Sequence, residues 1–181
     1  MVIHPTPPML RLREILGFSD RRPRTQSPQE IIPGIFLGSY EDAENIPLLR
    51  KLRIGAILNA ADFDGDTQRL YTAEMPNVVY GGLPIMDSSA YPIERHFLRT
   101  NESIHSARRR GLNILIHCQA GISRSATLLL AYLLAASGCS LKQGLHILRR
   151  ARPQVQPNPG FMKVLERYER HIQWAERRFS R

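Results

Sequence analysis

The sequence is poor in cysteine, in lysine and in long hydrophobic runs. Of its 181 residues only Cys118 and Cys139 are cysteines, too few for a disulfide scaffold or a structural zinc site. The longest apolar stretch, residues 126–136, is far shorter than the ~20 residues that a membrane span requires. The first residues are rich in proline and lack the continuous apolar run of a signal peptide. These absences predict a soluble protein of a reducing compartment, in the cytoplasm or also in the nucleus.

The basic residues are almost all arginine. Three lysines leave 22 arginines among the 25 basic residues, against 16 acidic residues and a net charge of +9. The planar arginine fork suits phosphate and carboxylate, which makes an anionic partner a natural hypothesis. The excess is uneven, because residues 1–30 carry +2, residues 31–141 carry zero and residues 142–181 carry +7. A nucleic-acid groove is therefore possible only near the C-terminal end, and nucleic acid is not an expected partner.

Strand and helix patterns alternate from residue 31 onward. Strands are predicted at residues 35–37, 78–86 and 113–117, with a further short apolar run at residues 56–61. Helices are predicted at residues 41–53, 92–110, 123–137, 140–152 and 160–177. The predicted fold class is α/β, with a central, mostly parallel sheet flanked by helices. Residues 1–28, rich in Pro, Arg, Ser and Thr, are predicted to form an N-terminal extension with one short apolar patch.

One segment, Ile-His-Cys-Gln-Ala-Gly-Ile-Ser-Arg-Ser at residues 116–125, carries the strongest chemical signal. It lies between a buried strand and a buried helix, where free backbone N–H groups and the helix dipole favour an anion. Cys118 begins the loop, so its sulfur is expected at the centre of the amide ring, held as a nucleophilic thiolate. Gly121 permits backbone curvature, and Arg124, six residues after Cys118, can clamp phosphate oxygens with two hydrogen bonds.

The other residues of this segment receive supporting roles. The substrate-binding amides are predicted to come from the loop residues Gln119, Ala120, Gly121, Ile122 and Ser123. Ser125 can donate its hydroxyl to the sulfur and stabilise the thiolate as a leaving group. His117 is expected to orient the thiolate through the loop backbone rather than to act as a base. An ordinary buried cysteine before a helix is the competing explanation, but it leaves this combination of residues without a reason.

A proton donor for the leaving group is the second requirement of such a site. Asp87 follows a predicted strand at residues 83–86, and the carboxyl ends of parallel strands converge on one ligand crevice. We therefore expect Asp87 to face Cys118, although an aspartate there could instead cap the helix that begins near Pro92. The rival acids Asp62, Asp64 and Asp66 lack the remaining ligands of a calcium loop and are interpreted as a solvated rim.

Residues 117–125 match the His-Cys-X5-Arg-Ser signature of the cysteine-dependent protein phosphatases. The longer sequence His-Cys-Gln-Ala-Gly-Ile-Ser-Arg-Ser-Ala-Thr resembles the dual-specificity branch of that superfamily, which includes the MAP kinase phosphatases. The resemblance extends from about Ile31 to Leu165, and Asp87, 31 residues before Cys118, occupies the family's general-acid position. Asn158, in the late loop Pro-Asn-Pro-Gly-Phe, matches an asparagine that supports the phosphate cradle. Val164 replaces a glutamine that is common in relatives, away from the chemistry.

The resemblance implies hydrolysis of phosphotyrosine, phosphoserine and phosphothreonine through a phosphocysteine intermediate, without a metal or other cofactor. The implied partner is a phosphoprotein, with a MAP kinase as the candidate. The chain resembles the small atypical members, with an extension at residues 1–28, a phosphatase domain at residues 29–175 and a basic tail at residues 176–181.

Three alternatives and one side question stay open from the sequence. The same chemistry could act on RNA 5′-phosphates or on phosphoinositides, although the variable loop residues add no Lys or Arg for a polyanionic head group. A phosphoprotein-binding module with little activity is the third alternative, and it usually lacks the nucleophile or the arginine. Cys139 lies beyond a predicted helix more than ~20 Å long, so a disulfide with Cys118 is not expected.

Overall fold

The computed structural model describes residues 27–63 and 66–179. Within these residues, five strands form one sheet in the order β1-β2-β5-β3-β4. The strands are β1 (Gln29–Ile32), β2 (Ile35–Gly38), β3 (Ile54–Asn59), β4 (Val79–Gly82) and β5 (Asn113–His117). β1 pairs antiparallel with β2, and the other three pairings are parallel. The prediction of an α/β fold with a mostly parallel sheet is confirmed.

Helices cover both faces of the sheet. They are α1 (Tyr40–Glu44), α2 (Ile46–Lys51), α3 (Asp66–Glu74), α4 (Phe97–Arg109), α5 (Arg124–Ser137), α6 (Leu141–Ala151) and α7 (Pro159–Phe179). Alternation along β5 explains the two layers, because successive side chains of a strand point to opposite faces. Ile114 and Ile116 pack in the larger core with α4 to α7, whereas Leu115 packs in the smaller one with α1, α2 and α3.

The site-bearing part of the chain follows its predicted boundaries closely. β5 lies at the centre of the sheet, and four of its five residues are buried. α5 is buried along almost its whole length and ends at Gly138, whose φ of 64° is the left-handed conformation that suits a glycine after a helix. α6 begins with a capping box in which Ser140 and Gln143 exchange side-chain and backbone hydrogen bonds.

Three predicted elements differ from the structure. The predicted helix at residues 41–53 is two helices, because the Asn45 side chain accepts from the Leu48 N–H and so starts a new helix, with Pro47 in its first turn. The predicted strand at residues 78–86 stops at Gly82, and Pro84 has no N–H with which to continue the ladder. The helix predicted from Pro92 opens with a 3-10 turn, Ile93–His96, before α4.

β1 and α3 were not predicted, and the last helix is slightly longer than predicted. α3 begins at Asp66, inside the segment expected to be an acidic loop. α7 extends to Phe179, two residues past the predicted end of that helix at residue 177. Most of the predicted extension, with its apolar patch, lies outside the described residues. None of the helices among residues 27–63 and 66–179 is long and apolar enough to cross a membrane.

Candidate active site

The loop of residues 118–123 joins the central strand β5 to the buried helix α5. Cys118 is 2% exposed, and its sulfur accepts two hydrogen bonds. The Gly121 N–H donates to Sγ at 3.3 Å, and the Ser125 hydroxyl donates at 3.2 Å. Donors aimed at a sulfur stabilise its anionic form. The structure thus brings together the cysteine and the serine that the sequence analysis singled out.

Gly121 is required by both conformation and space. Its φ is +66°, a region that residues with a Cβ rarely adopt. A Cβ added there would lie 2.4 Å from the Gly38 carbonyl oxygen and 2.6 Å from Nη2 of Arg152. The loop therefore rests directly on the end of β2 and on a side chain from the end of α6.

The carbonyl groups of four successive loop residues are bonded to groups outside the loop. The acceptor carbonyls belong to Gln119, Ala120, Gly121 and Ile122. The Tyr40 N–H donates to the Gln119 carbonyl at 3.0 Å, and the Gln156 N–H donates to the Ile122 carbonyl at 3.0 Å. The Arg152 guanidinium donates to the Ala120 carbonyl at 3.1 Å and to the Gly121 carbonyl at 2.9 Å. Because these carbonyls are held by neighbouring segments, the peptide dipoles of the loop have a fixed orientation, as an anion-binding cradle requires.

Asp87 lies on the other side of this loop, tied to it by two side chains. Oδ1 of Asp87 accepts from the Ser123 hydroxyl at 2.7 Å and from Nδ2 of Asn158 at 2.8 Å. The Asn158 N–H in turn donates to the Ser123 hydroxyl at 3.2 Å. Asp87 makes no cap for the helix after Pro92, whose cap position has no side-chain hydrogen bond. The alternative interpretation of Asp87 as a helix cap is therefore wrong.

Arg124 is also close to Asp87. Its Nε lies 3.6 Å from Oδ2 of Asp87, and its Nη1 donates to the Ile85 carbonyl at 3.2 Å. The Arg124 side chain is 12% exposed and that of Asp87 is 37% exposed, so the pair stands at the edge of the buried loop. A guanidinium at the start of α5, beside the cysteine loop, can contact oxygens of a bound phosphate.

The segment after Asp87 is fixed at both ends. The Tyr91 hydroxyl donates to the Pro84 carbonyl at 3.0 Å, and the Tyr91 N–H donates to the Ser88 carbonyl at 3.0 Å. Ser89 packs so closely on the first turn of α7 that a Cβ on Gly160 would lie 2.0 Å from the Ser89 carbonyl oxygen. The loop that carries Asp87 is thus attached to α7 as well as to the end of the sheet.

His117 is fully buried beside the cysteine. Burial lowers its pKa to about 4, an effect that the backbone of Cys118 only partly offsets. The imidazole is therefore neutral at physiological pH. A neutral, enclosed ring is compatible with the predicted orienting role.

The other residues weighed in the sequence analysis are Cys139 and the acids near Asp62. Cys118 and Cys139 are both free thiols, and Cys139 is buried beside Gly144 of α6 as a packing residue. Asp62 is half-buried against Gly82, while Asp64 lies outside the described residues. Among residues 27–63 and 66–179, no group of three or more His, Cys, Asp or Glu side chains could hold a metal ion.

Three residues beneath the loop were not assigned a role from the sequence: Arg152, Asp42 and Gln29. Arg152 is 4% exposed, and besides its two loop carbonyls it contacts Oδ2 of Asp42 at 3.7 Å and donates to Oε1 of Gln29. Asp42 also accepts from the Ser39 N–H at 2.7 Å. In the sequence, the one signal near them is an Arg-Pro pair at residues 152–153, shortly before the late loop Pro-Asn-Pro-Gly-Phe.

Comparison with known families decides the assignment. A family model described as the catalytic domain of dual specificity phosphatases matches residues 35–171. The chain belongs to the dual specificity phosphatase family. Its matched region includes the cysteine loop, Asp87, Asn158 and Arg152, and it begins at β2, so β1 lies outside it.

Curated relatives agree with this membership. Human dual specificity protein phosphatase 22 is 33% identical over 142 residues, which cover 78% of this chain and 73% of that protein. MAP kinase phosphatase with leucine-rich repeats protein 3 from Dictyostelium discoideum is 42% identical over 145 residues. That alignment covers 80% of this chain but only 16% of the Dictyostelium protein.

A solved structure confirms the fold. The crystal structure of human DUSP28 superposes with a TM-score of 0.73 and 28% sequence identity, covering 84% of this chain and 99% of that one. The resemblance to small dual specificity phosphatases, stated from the sequence, is therefore confirmed. The chain carries the catalytic domain of this enzyme family.

Proposed function

We propose that the chain is a protein phosphatase that hydrolyses phosphotyrosine and phosphoserine or phosphothreonine through a phosphocysteine intermediate on Cys118. The observation that supports this most is the sulfur of Cys118, which accepts from Gly121 and Ser125 inside a loop whose carbonyls are bonded elsewhere. This arrangement suits a thiolate nucleophile and a bound phosphoryl group in one place.

In the first step of the proposed reaction, the Cys118 thiolate attacks phosphorus. The S–P bond forms as the bond between phosphorus and the side-chain oxygen of the substrate breaks. The Asp87 carboxyl gives its proton to that leaving oxygen, which departs as a neutral hydroxyl. The loop amides and the Arg124 guanidinium stabilise the charge on the equatorial oxygens.

In the second step, water attacks the phosphocysteine. The Asp87 carboxylate takes a proton from the water as the new O–P bond forms and the S–P bond breaks. The Cys118 thiolate leaves, stabilised by the Ser125 hydroxyl at 3.2 Å, and inorganic phosphate is released. Ser123 and Asn158 hold the Asp87 carboxylate at the loop for both proton transfers.

A phosphorylated MAP kinase is the substrate that we propose. The support is the Dictyostelium relative, which is named a MAP kinase phosphatase. We also propose a reducing environment, the cytoplasm or also the nucleus, because the two cysteines of the sequence are too few for a disulfide scaffold. The domain limits that we propose remain residues 29–175, with helix α7 continuing into the basic end.

A substrate comparison tests the proposal. The full chain is assayed for phosphate release from a kinase activation-loop peptide phosphorylated on Thr and Tyr, from an RNA 5′-triphosphate and from phosphoinositide vesicles. We expect the peptide to have the highest kcat/KM and both of its phosphates to be released. A preference for RNA or lipid would contradict the protein-substrate proposal, and binding of the peptide without turnover would favour a phosphoprotein-binding module.

A further inference from the structure

Arg152, at the end of α6, lies behind the cysteine loop and not in front of it. Its Nε donates to the Gly121 carbonyl at 2.9 Å and its Nη2 to the Ala120 carbonyl at 3.1 Å. The residue is 4% exposed, so these bonds are made away from bulk water. Arg124 instead contacts Asp87 and the Ile85 carbonyl, so of these two guanidinium groups it is that of Arg152 that holds the loop carbonyls.

We propose that Arg152 is a positioning residue of this active site, which holds the Ala120 and Gly121 carbonyls so that the loop amides converge on the phosphoryl group. This inference rests on the proposed phosphatase function and adds a residue to it. Arg152 touches neither the substrate nor the reacting atoms. It acts through the two peptide groups that it binds.

The physical reason is the direction of the peptide dipoles. A carbonyl oxygen that rotated toward the site would repel a bound phosphate and remove an N–H donor from it. A buried carbonyl without a donor is costly, so a loop with no outside partner for these groups would find another arrangement. The two donors of one rigid guanidinium fix two successive peptide planes at once, which a lysine ammonium does with less directional control.

Arg152 is itself held by residues from β1 and α1. Nη1 of Arg152 contacts Oδ2 of Asp42 at 3.7 Å and donates to Oε1 of Gln29. A buried cation requires such partners, because an unpaired charge in the interior is strongly unfavourable. Gln29 lies before the region matched by the family model, so one of the two partners of Nη1 comes from outside that region.

Electrostatics agrees with the geometry. Burial lowers the pKa of Arg152, whereas the Asp42 carboxylate and Cys118 both act to raise it. Arg152 is thus a buried cation with the Asp42 carboxylate as a nearby anionic partner.

The test compares Arg152→Lys with a matched variant, Arg149→Lys. Arg149 lies in the last turn of α6, three residues before Arg152, and its Nε donates at 2.9 Å to the Val155 carbonyl, which is not part of the cysteine loop. For both variants we measure kcat and KM with p-nitrophenyl phosphate, inhibition by vanadate and by inorganic phosphate, and thermal unfolding. Vanadate adopts the five-coordinate geometry of the transition state, whereas phosphate resembles the ground state.

We expect Arg152→Lys to lower kcat about tenfold or more, and to weaken vanadate binding more than phosphate binding, because misplaced donors cost most in the transition state. The KM of Arg152→Lys should stay near the wild-type value. Arg149→Lys should keep wild-type kcat, KM and inhibition. Wild-type kcat and vanadate inhibition in folded Arg152→Lys would overturn the inference. If Arg152→Lys does not fold, Gln29→Ala is measured in its place. Vanadate binding weakened about twofold or more supports the positioning role of Arg152, and unchanged vanadate binding overturns it.

The two proposals fail in different ways. A wild-type chain that turns over no phosphoester contradicts the proposed function. Under that outcome the positioning role is still tested by the binding of vanadate and of phosphate. Binding is compared among the wild type, Arg152→Lys and Gln29→Ala. Turnover by the wild type together with unchanged Arg152→Lys contradicts only the positioning role.

Discussion

Nδ2 of Asn158 donates to Oδ1 of Asp87 at 2.8 Å, which joins two residues that are 71 positions apart in the chain. The sequence resemblance assigned Asn158 to the support of the phosphate cradle. In the structure it contacts both Ser123 of the cradle and the proposed general acid. The asparagine thus fixes the position of the acid relative to the loop that holds the nucleophile.

This contact predicts a leaving-group effect. Asn158→Ala should lower kcat about tenfold for substrates with poor leaving groups and less for p-nitrophenyl phosphate, because a good leaving group needs little proton transfer. Asp87→Ala should show the same pattern with a larger loss, about a hundredfold or more for poor leaving groups. Steady-state rates across a series of aryl phosphates measure both.

Two matched variants accompany this series. Asn77→Ala changes an asparagine in an exposed turn, and Asp62→Ala changes the rival acid beside Gly82. Neither should change the dependence of rate on the leaving group. If Asp62→Ala, and not Asp87→Ala, lost activity toward poor leaving groups, the assignment of the acid would be wrong.

The Ser125 hydroxyl predicts a selective effect on the second step. It donates to the Cys118 sulfur at 3.2 Å, so Ser125→Ala removes a donor from the departing thiolate. A hydrogen bond to a charged group is worth about 1.5–3 kcal/mol, so phosphocysteine hydrolysis should slow about ten- to a hundredfold. Rapid mixing should show a retained burst followed by a slower steady state. Ser103→Ala, whose hydroxyl bonds the Arg99 carbonyl within α4, should behave as wild type, and loss of the burst in Ser125→Ala would contradict the assigned step.

Gly121 predicts a stability difference that separates strain from steric overlap. Gly111 has a φ of +68° with nothing within 4 Å of an added Cβ, so Gly111→Ala should cost only about 1–2 kcal/mol of left-handed strain. Gly121→Ala, with contacts at 2.4 and 2.6 Å, should cost about 1–3 kcal/mol more from overpacking. Denaturant unfolding measures both free energies, and equal losses would show that the loop yields to the added methyl group.

His117 predicts a pH dependence of stability. Its folded-state pKa of about 4 lies below the ordinary 6.5, so the unfolded chain binds the proton more readily. Stability should therefore fall as the pH drops from about 6.5 to 4, by about 3 kcal/mol for this residue. Denaturant unfolding at several pH values should give a flatter profile for His117→Gln than for His146→Gln, which changes an exposed histidine. Identical profiles would show that His117 does not account for this loss.

Local signals allowed much of this fold to be predicted. β5 and α5 are marked by apolar runs, α5 ends at Gly138, and α6 begins after the Ser140 cap. The boundaries of all three elements agree with the prediction within one or two residues. The break at Asn45 was missed because the apolar spacing continues across it, although the cap and Pro47 divide the helix. β1 is four residues long and antiparallel, and it depends on pairing with β2 more than on its own pattern.

The site was predictable where its residues are close in sequence. Cys118, Gly121, Arg124 and Ser125 lie within eight positions, so helix and loop geometry relate them directly. Arg152 is 34 positions after Cys118, and its contact with the loop arises only when α6 packs beside β1. Such a contact is a property of tertiary packing, for which this single sequence offers no local pattern.

The most direct measurement of the central claim is acid quenching of the enzyme during turnover, followed by peptide mass spectrometry. The account predicts phosphate on the Cys118 peptide of the wild type, none in Cys118→Ser, and an unchanged level in Cys139→Ala. Asp87→Ala and Ser125→Ala are measured alongside as complementary checks. Ser125→Ala should accumulate more of the intermediate than the wild type. Full turnover by Cys118→Ser, or phosphate on a residue other than Cys118, would contradict the account.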